Sequence, residues 1–258
     1  MAGEVLVERR ARPEGGEVAF VTIAHEAKLN TLNAALMARF VEAIRALSVD
    51  GALRAVVLTG AGAKAFIGGA DIAEMAAIAD AAGARGFIGA VQASCAAVRD
   101  CPVPVIARVN GWTLGAGLEL AAACDLRLAA ETAQFGMPEV RVGIPSVVEA
   151  ALLPGLIGWG RTRRLLLLGE TIDAAEAERW GLIERVVPPD RLDEAVEEWL
   201  AALCAAGPQA VRDQKALIRR WEGLPLAEAI ATGIPAFAAA WRSEEPRRML
   251  GAFAMRRR

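Results

Sequence analysis

Apolar residues recur along this chain with two periods, and the switches between them outline its elements. Val5–Glu8 and Val18–Ala24 read as two strands around a turn at Pro13-Glu14-Gly15-Gly16. Leu32–Leu47 has apolar residues at 36, 37, 40, 41, 44 and 47, the spacing of an amphipathic helix. Val56–Thr59 is a short unbroken apolar run, as expected of a strand buried on both faces of a parallel sheet. Ile72–Val98 returns to helical spacing, with a break expected near Gly83 or Gly86. Val103–Val109 predicts another strand, Asn110-Gly111 a turn, Gly115–Ala123 an alanine-rich helix, and Leu126–Ala129 and Ala133–Phe135 short strands. From Ser146 onward the pattern is mainly helical. Its segments are Ser146–Leu156, Arg161–Leu168, Ala174–Trp180, Leu192–Ala205, Pro208–Trp221, Leu226–Trp241 and Glu245–Met255, with one short strand at Leu182–Val187. Alternating strands and helices followed by a helical third predict an α/β core over residues 1–190 and a helical region over 191–258.

Composition narrows this picture. The 258 residues are 55% hydrophobic, enough for a large buried core, and the formal net charge of -2 gives no case for a nucleic-acid partner. The basic end Arg256-Arg257-Arg258 reads as a solvated chain end. Cys95, Cys101, Cys124 and Cys204 form no C-x-x-C pair, which predicts reduced thiols in a cytoplasmic protein. The N-terminus lacks the long apolar run of a signal peptide, and no uncharged apolar run is long enough to predict a membrane span. One histidine, His25, leaves no partner for a histidine metal cluster or a Ser-His relay, and tyrosine is absent. Acid–base chemistry would therefore fall mainly to carboxylates.

Three stretches carry candidate chemistry. Gly60-Ala61-Gly62-Ala63-Lys64-Ala65 follows a strand and fits the loosest dinucleotide fingerprint, G-x-G-x-x-A. It fails in detail. Phe66-Ile67-Gly68-Gly69 separates the bend from any helix, and the next strand ends in Arg108-Val109-Asn110 rather than in an acid. In the second stretch, residues 110–125 (NGWTLGAGLELAAACD), small residues open a helix whose first N–H groups lack intrahelical acceptors. Glu119 lies three residues after Ala116, in an apolar run where a carboxylate is costly unless paired or protonated; a solvated helical stripe is the plainer alternative. In the third, residues 134–145 (QFGMPEVRVGIP), Glu139 follows a strand and by itself reads as an exposed loop acid.

Together these stretches resemble the enoyl-CoA hydratase/isomerase (crotonase) family. KAFIGGADIAEM is similar to its first oxyanion segment, NGWTLGAGLELAAACD to its second oxyanion segment and first glutamate, and AQFGMPEVRVGIP to its second-glutamate segment. AKLNTLNAALM resembles the CoA-contact segment, and LGETIDAAEAERWGLIERVVP the stretch that closes the core. The resemblance implies a spiral of ββα repeats with two sheets and a helical C-terminal trimerisation region. It also implies acyl-CoA as substrate, a homo-oligomer (trimer or dimer of trimers), and no metal or other cofactor. By position, the N–H groups of Ala70 and Ala116 would form an oxyanion hole, with Glu119 and Glu139 as the catalytic pair. Glu119 would activate the water and Glu139 supply the proton. Ala27, Lys28 and Leu29 would contact the adenine end of CoA, Asp71, Ile72 and Ala73 would line the CoA site, and Phe253 and Arg256 would reach the CoA of a neighbouring subunit.

Two departures stand out. Ala116 occupies a position where many relatives have glycine, which alanine can fill if its φ is negative. After Glu139 the family's glycine-rich segment is replaced by Ser146-Val147-Val148-Glu149-Ala150. Glu149 is open to three readings: a third active-site carboxylate, a partner for Arg141, or a surface residue, with the structural ones preferred. Rival chemistries on the same scaffold are 3,2-enoyl-CoA isomerisation and acyl-CoA hydrolysis; a non-catalytic acyl-CoA-binding homologue is the rival of another class.

Overall fold

The computed structural model describes residues 3–256. Glu4–Ala11 (β1) and Glu17–Ala24 (β2) form an antiparallel hairpin closed by Arg12–Gly16, where Gly15 and Gly16 take φ of 96° and 79°. β1 is the edge of a six-stranded sheet, and its exposed charged side chains deter pairing with a further strand. The sheet continues in parallel through Leu53–Gly60 (β3), Val105–Val109 (β5), Leu126–Ala130 (β7) and Arg185–Val187 (β10), in the order β1-β2-β3-β5-β7-β10. Ala34–Ser48 (α1), capped by Asn33, crosses from β2 to β3.

A second sheet of short strands runs Ala65–Ile67 (β4), Trp112–Leu114 (β6), Gln134–Gly136 (β8) and Thr171–Asp173 (β9). Each of β3, β5 and β7 is followed by a short strand of this second sheet, and β4 and β6 lead directly into helices: Ile72–Ala76 (α2) with Ala81–Asp100 (α3), and Ala116–Ala123 (α4). This is the ββα repeat that the family resemblance implies. The eight residues of α4 are all buried, so its start lies inside the protein.

The large sheet is buried on both faces, which explains the unbroken apolar runs of β3 and β5. One face packs with α1, α3 and α4 around Phe40, Phe66 and Leu118; the other, with Val57, Ile106 and Leu128, is covered by Leu192–Ala205 (α7) through Leu192, Val196 and Leu200. Pro208–Trp221 (α8) is held by Lys215, whose Nζ donates to the Val98 and Val103 carbonyls and to Asp125. Leu226–Ala240 (α9) and Glu245–Arg256 (α10) follow, with Leu226, Ile230, Ile234 and Phe237 exposed along one stripe of α9.

Several boundaries differ from the sequence reading. The predicted helix over 72–98 breaks at residues 77–80, because Asp80 caps α3 through the Gly83 N–H at 2.8 Å; Gly83 and Gly86 lie within the new helix. The segments 146–156 and 161–168 become a 3-10 turn, Val148–Leu152, followed by Leu153–Leu168 (α5), with a kink at Gly158, φ 75°. Strands predicted from 103 and 182 begin at 105 and 185, after Pro104 and Glu184. The three-residue strands β4, β6 and β9 were not predicted. Ala174–Trp180 (α6), α7 and α8 have the bounds expected from periodicity. Among the described residues, no helix is long and apolar enough to cross a membrane, and the four cysteines are buried and unpaired.

Candidate active site

The bend at 60–65 is tied down through its carbonyls. Asn110 Nδ2 donates to the carbonyls of Gly60, Gly62 and Ala65, and Asn30 Nδ2 donates to those of Ala61 and Ala65. Two buried side chains thus tie the loop shut, and the chain leaves it as β4 rather than as a helix.

The next bend, Gly68-Gly69-Ala70, is open. β4 and β6 are parallel neighbours, so the residues that follow them emerge side by side. A methyl on Gly69 would lie 3.2 Å from the Leu114 carbonyl oxygen, and one on Gly117 would lie 2.1 Å from the Ile67 carbonyl oxygen. The two segments therefore pack backbone to backbone, which only glycine permits here. A parallel bridge joins Ala70 to Leu32; its bonds run from Leu32 N–H to Gly69 and from Asp71 N–H to Leu32, leaving the Ala70 N–H outside it. Gly69, at φ 112°, makes the turn that presents this amide.

Across from it, Gly115 begins α4 with φ 51° and ψ -122°, a conformation reserved for glycine. The first bonds of the helix come from Leu118 and Glu119 N–H to Gly115 O, so the Ala116 and Gly117 amides have no acceptor within the helix. Ala116 is not among the residues with positive φ, so alanine at this position imposes no strain. Two unused N–H groups from adjacent segments are the elements of an anion-binding pair.

Glu119, one turn into α4, is 4% exposed, and its Oε1 accepts the Ala150 N–H at 3.3 Å. Burial first, and then the charge of Glu139, push its carboxyl up to about 8, against the opposing Ala150 hydrogen bond. Glu139 opens a one-turn 3-10 helix, Glu139–Val142, and is half-buried. Its Oε2 accepts from the Ser146 hydroxyl at 2.8 Å. Its Oε1 lies over Gly115, where a methyl would come within 2.4 Å. The second carboxyl thus sits at the start of the helix that carries the first, and an acid expected from its own sequence to be an exposed loop residue is drawn into the site.

The N-terminal segment joins the same face. Lys28 Nζ donates to Asp71 Oδ2 at 2.8 Å, while Asp71 Oδ1 caps α2 through the Ala73 and Glu74 N–H groups. The Lys28 ammonium, with these amides, holds the Asp71 carboxyl below the usual range. Ala27, Lys28 and Leu29 are therefore tied to Asp71, Ile72 and Ala73, and Leu29 and Ile72 remain exposed. Phe253 is an exposed residue of α10, the helix whose Glu245 accepts from the Gln209 and Ala210 amides at the start of α8. The fold does not gather it around Glu119. Arg256 is the last residue of α10; its side chain, and Arg257 and Arg258, lie outside the described residues.

Glu149 corrects the sequence reading. It is buried at 8% exposure, not a surface residue, and Arg141 reaches the Leu168 carbonyl instead of Glu149. Sequence reasoning also missed Ser146 and the Ala150 amide. A hydroxyl seven residues after Glu139 has no periodic signal, and a backbone donor has no signature in the side-chain sequence.

A sequence profile described as enoyl-CoA hydratase/isomerase matches residues 14–258. The chain is 35% identical over 246 residues to a short-chain-enoyl-CoA hydratase of Clostridium acetobutylicum, covering 94% of this chain and 93% of that protein. It is 34% identical over 244 residues to a crotonyl-CoA hydratase of Syntrophomonas wolfei, with the same coverage of 94% and 93%. Among solved structures, an enoyl-CoA hydratase from Bacillus anthracis superposes with a TM-score of 0.91 at 33% identity, covering 98% of this chain and 96% of that one. One from Mycobacterium smegmatis superposes at 0.92 and 30% identity, covering 99% and 98%. With the ββα spiral, the two apposed amide segments and the match over nearly its whole length, the chain has the crotonase fold and belongs to the enoyl-CoA hydratase/isomerase family.

Proposed function

We propose that this protein is an enoyl-CoA hydratase, adding water reversibly across the 2,3 double bond of a 2-enoyl-CoA thioester. The observation that carries this reading is the pair Glu119 and Glu139. The buried member is fixed on the Ala150 amide and feels the charge of the other, beside two unused backbone donors. The thioester carbonyl lies between the Ala70 and Ala116 amides. Water attacks C3 as one carboxylate takes its proton. The double-bond electrons move onto the thioester oxygen, where each amide contributes about 3–4 kcal/mol to the enolate-like transition state. The other carboxyl then delivers its proton to C2. One H and one OH are added, and the pair ends with the single proton it began with.

The competent state is the singly protonated pair. Burial favours that proton on Glu119, so Glu119 acts as the water-activating carboxylate only after the proton passes to Glu139. The pair loses its proton as pH rises through about 8, and hydration falls with it. Isomerisation of a 3-enoyl thioester needs only one carboxyl to shuttle a proton, so two facing one site favour hydration.

In this reading residues 27–29 and 71–73 hold CoA, with the Lys28–Asp71 ion pair fixing their relative position. Phe253 and Arg256 serve the site of a neighbouring copy. The apolar stripe of α9 is buried in a homo-oligomer, and no metal or redox cofactor takes part. Spectrophotometry of crotonyl-CoA tests the activity. The wild type should bleach the conjugated-thioester absorbance, while Glu119→Gln and Glu139→Gln should each lose about 10²–10⁴-fold. Unchanged rates in both variants would exclude the two-carboxyl mechanism.

A further inference from the structure

Glu149 lies in the segment that follows Glu139, Ser146-Val147-Val148-Glu149-Ala150. It stands in the turn that already holds Glu119. Val147 is extended, Val148 takes φ 39°, and the Ala150 N–H closes the turn onto the Val147 carbonyl at 2.9 Å while also reaching Glu119 Oε1. A β-branched residue rarely adopts positive φ, so the surrounding packing must enforce it. The result turns Glu149 inward between α3 and α4. Its Oε2 is buried without a hydrogen-bond partner, and its carboxyl and the buried Cys95 thiol of α3 influence each other's protonation. The same thiol feels the charges of both Glu149 and Glu119. A buried, half-satisfied carboxyl is costly in a core and calls for a compensating role.

We propose that Glu149 is a third carboxyl of the centre, a positioning residue that acts on the reaction by acting on Glu119. The charged and titratable groups around it are Cys95 and Arg99 from α3, Glu119 from α4 and Arg219 from α8. Burial raises the Glu149 carboxyl above the usual range, and the Arg99 charge, the Cys95 thiol and the Arg219 charge oppose that rise. They favour the charged form of Glu149, in the turn whose Ala150 amide holds Glu119. That charge adds to the Glu139 charge in disfavouring the Glu119 anion, so the catalytic pair keeps its shared proton to higher pH. Touching no substrate, Glu149 sets the alkaline edge of the active range.

The test is a ¹³C-carboxyl NMR titration of glutamate-labelled protein, assigned with Glu119→Gln and Glu149→Gln. In the wild type the Glu119 resonance should titrate near 8. In Glu149→Gln its midpoint should fall by about 0.5–1 unit, and in Glu149→Asp, which keeps the charge, it should stay near the wild-type value. The alkaline limb of kcat/KM for crotonyl-CoA should move with it, through kcat rather than KM. An unmoved midpoint in folded Glu149→Gln, or equal shifts in the Gln and Asp variants, would overturn the proposal. If Glu149→Gln does not fold, the wild type still decides, because its Glu119 curve must carry a second inflection at the Glu149 midpoint. The rate arm rests on the hydratase reading and the titration arm does not. A shift in the titration with no turnover would reject the hydratase reading alone.

Discussion

Two glycine bends a few residues apart, 60–63 and 68–70, look alike in sequence and do opposite work. In the first, two asparagines absorb the carbonyls, and the bend serves only to turn the chain from one sheet into the other. In the second, the parallel bridge to Leu32 satisfies the flanking residues and leaves the Ala70 amide unused beside the unused Ala116 amide. Glycine content does not distinguish the two. What sets the second apart is an unspent donor facing another across adjacent segments, as a site for developing negative charge requires.

This contrast can be broken from either side. Among changes to the backbone, the largest kinetic effect is expected at Gly115. An alanine there must adopt φ 51° and ψ -122°, with its methyl 2.4 Å from Glu139 Oε1, displacing both the Ala116 amide and a carboxyl. Steady-state hydration by Gly115→Ala should fall about 10²-fold or more, since displacement of catalytic groups by about 1 Å costs that much. The open region should also carry a stability cost that the closed one lacks. The Glu119 carboxyl titrates near 4.5 when unfolded and about 8 when folded, so the native state is most favoured below 4.5 and loses stability as pH rises to about 8. Removing the ionisable group should raise the unfolding free energy of Glu119→Gln at pH 8 by about 4 kcal/mol, from about 1.4 kcal/mol per unit. By urea titration that gain should vanish at pH 4.

On the closed side, Asn110→Ala removes the side-chain donor from the Gly60 and Gly62 carbonyls and leaves that of Ala65 to Asn30 alone. Chemical denaturation should show a loss of about 3 kcal/mol, while kcat/KM per folded molecule changes less than about threefold. A large kinetic loss with intact stability would mean that the closed bend serves the chemistry directly. The smallest effect is expected for Ser146→Ala, which removes one donor from Glu139 and should lower kcat by about 3–10-fold.

What could be read from the sequence followed the length and periodicity of each element. Helices such as Leu192–Ala205 and Pro208–Trp221 have long apolar faces and end where their pattern ends. The second sheet escaped because β4, β6 and β9 are three residues each, too short for an alternation to register. The break before α3 was misplaced because glycine is tolerated within a helix, whereas the Asp80 cap decides where one starts. In the site, Glu119 was legible because an acid within LGAGLELAAA demands a reason. Glu139 was legible only through the family resemblance, since its burial comes from Gly115 and Ser146, far off or aperiodic in sequence. Glu149 was misjudged for the same reason: the turn at Val148 that points it inward depends on tertiary packing.

The central claim is that Glu119 and Glu139 act as one unit on one water. The most direct test is a double-mutant cycle on crotonyl-CoA hydration, measuring kcat for the wild type, Glu119→Gln, Glu139→Gln and the double variant. A shared role predicts that the double variant loses no more than about tenfold beyond the weaker single variant. Losses that multiply in full, leaving each carboxyl independent of the other, would contradict it.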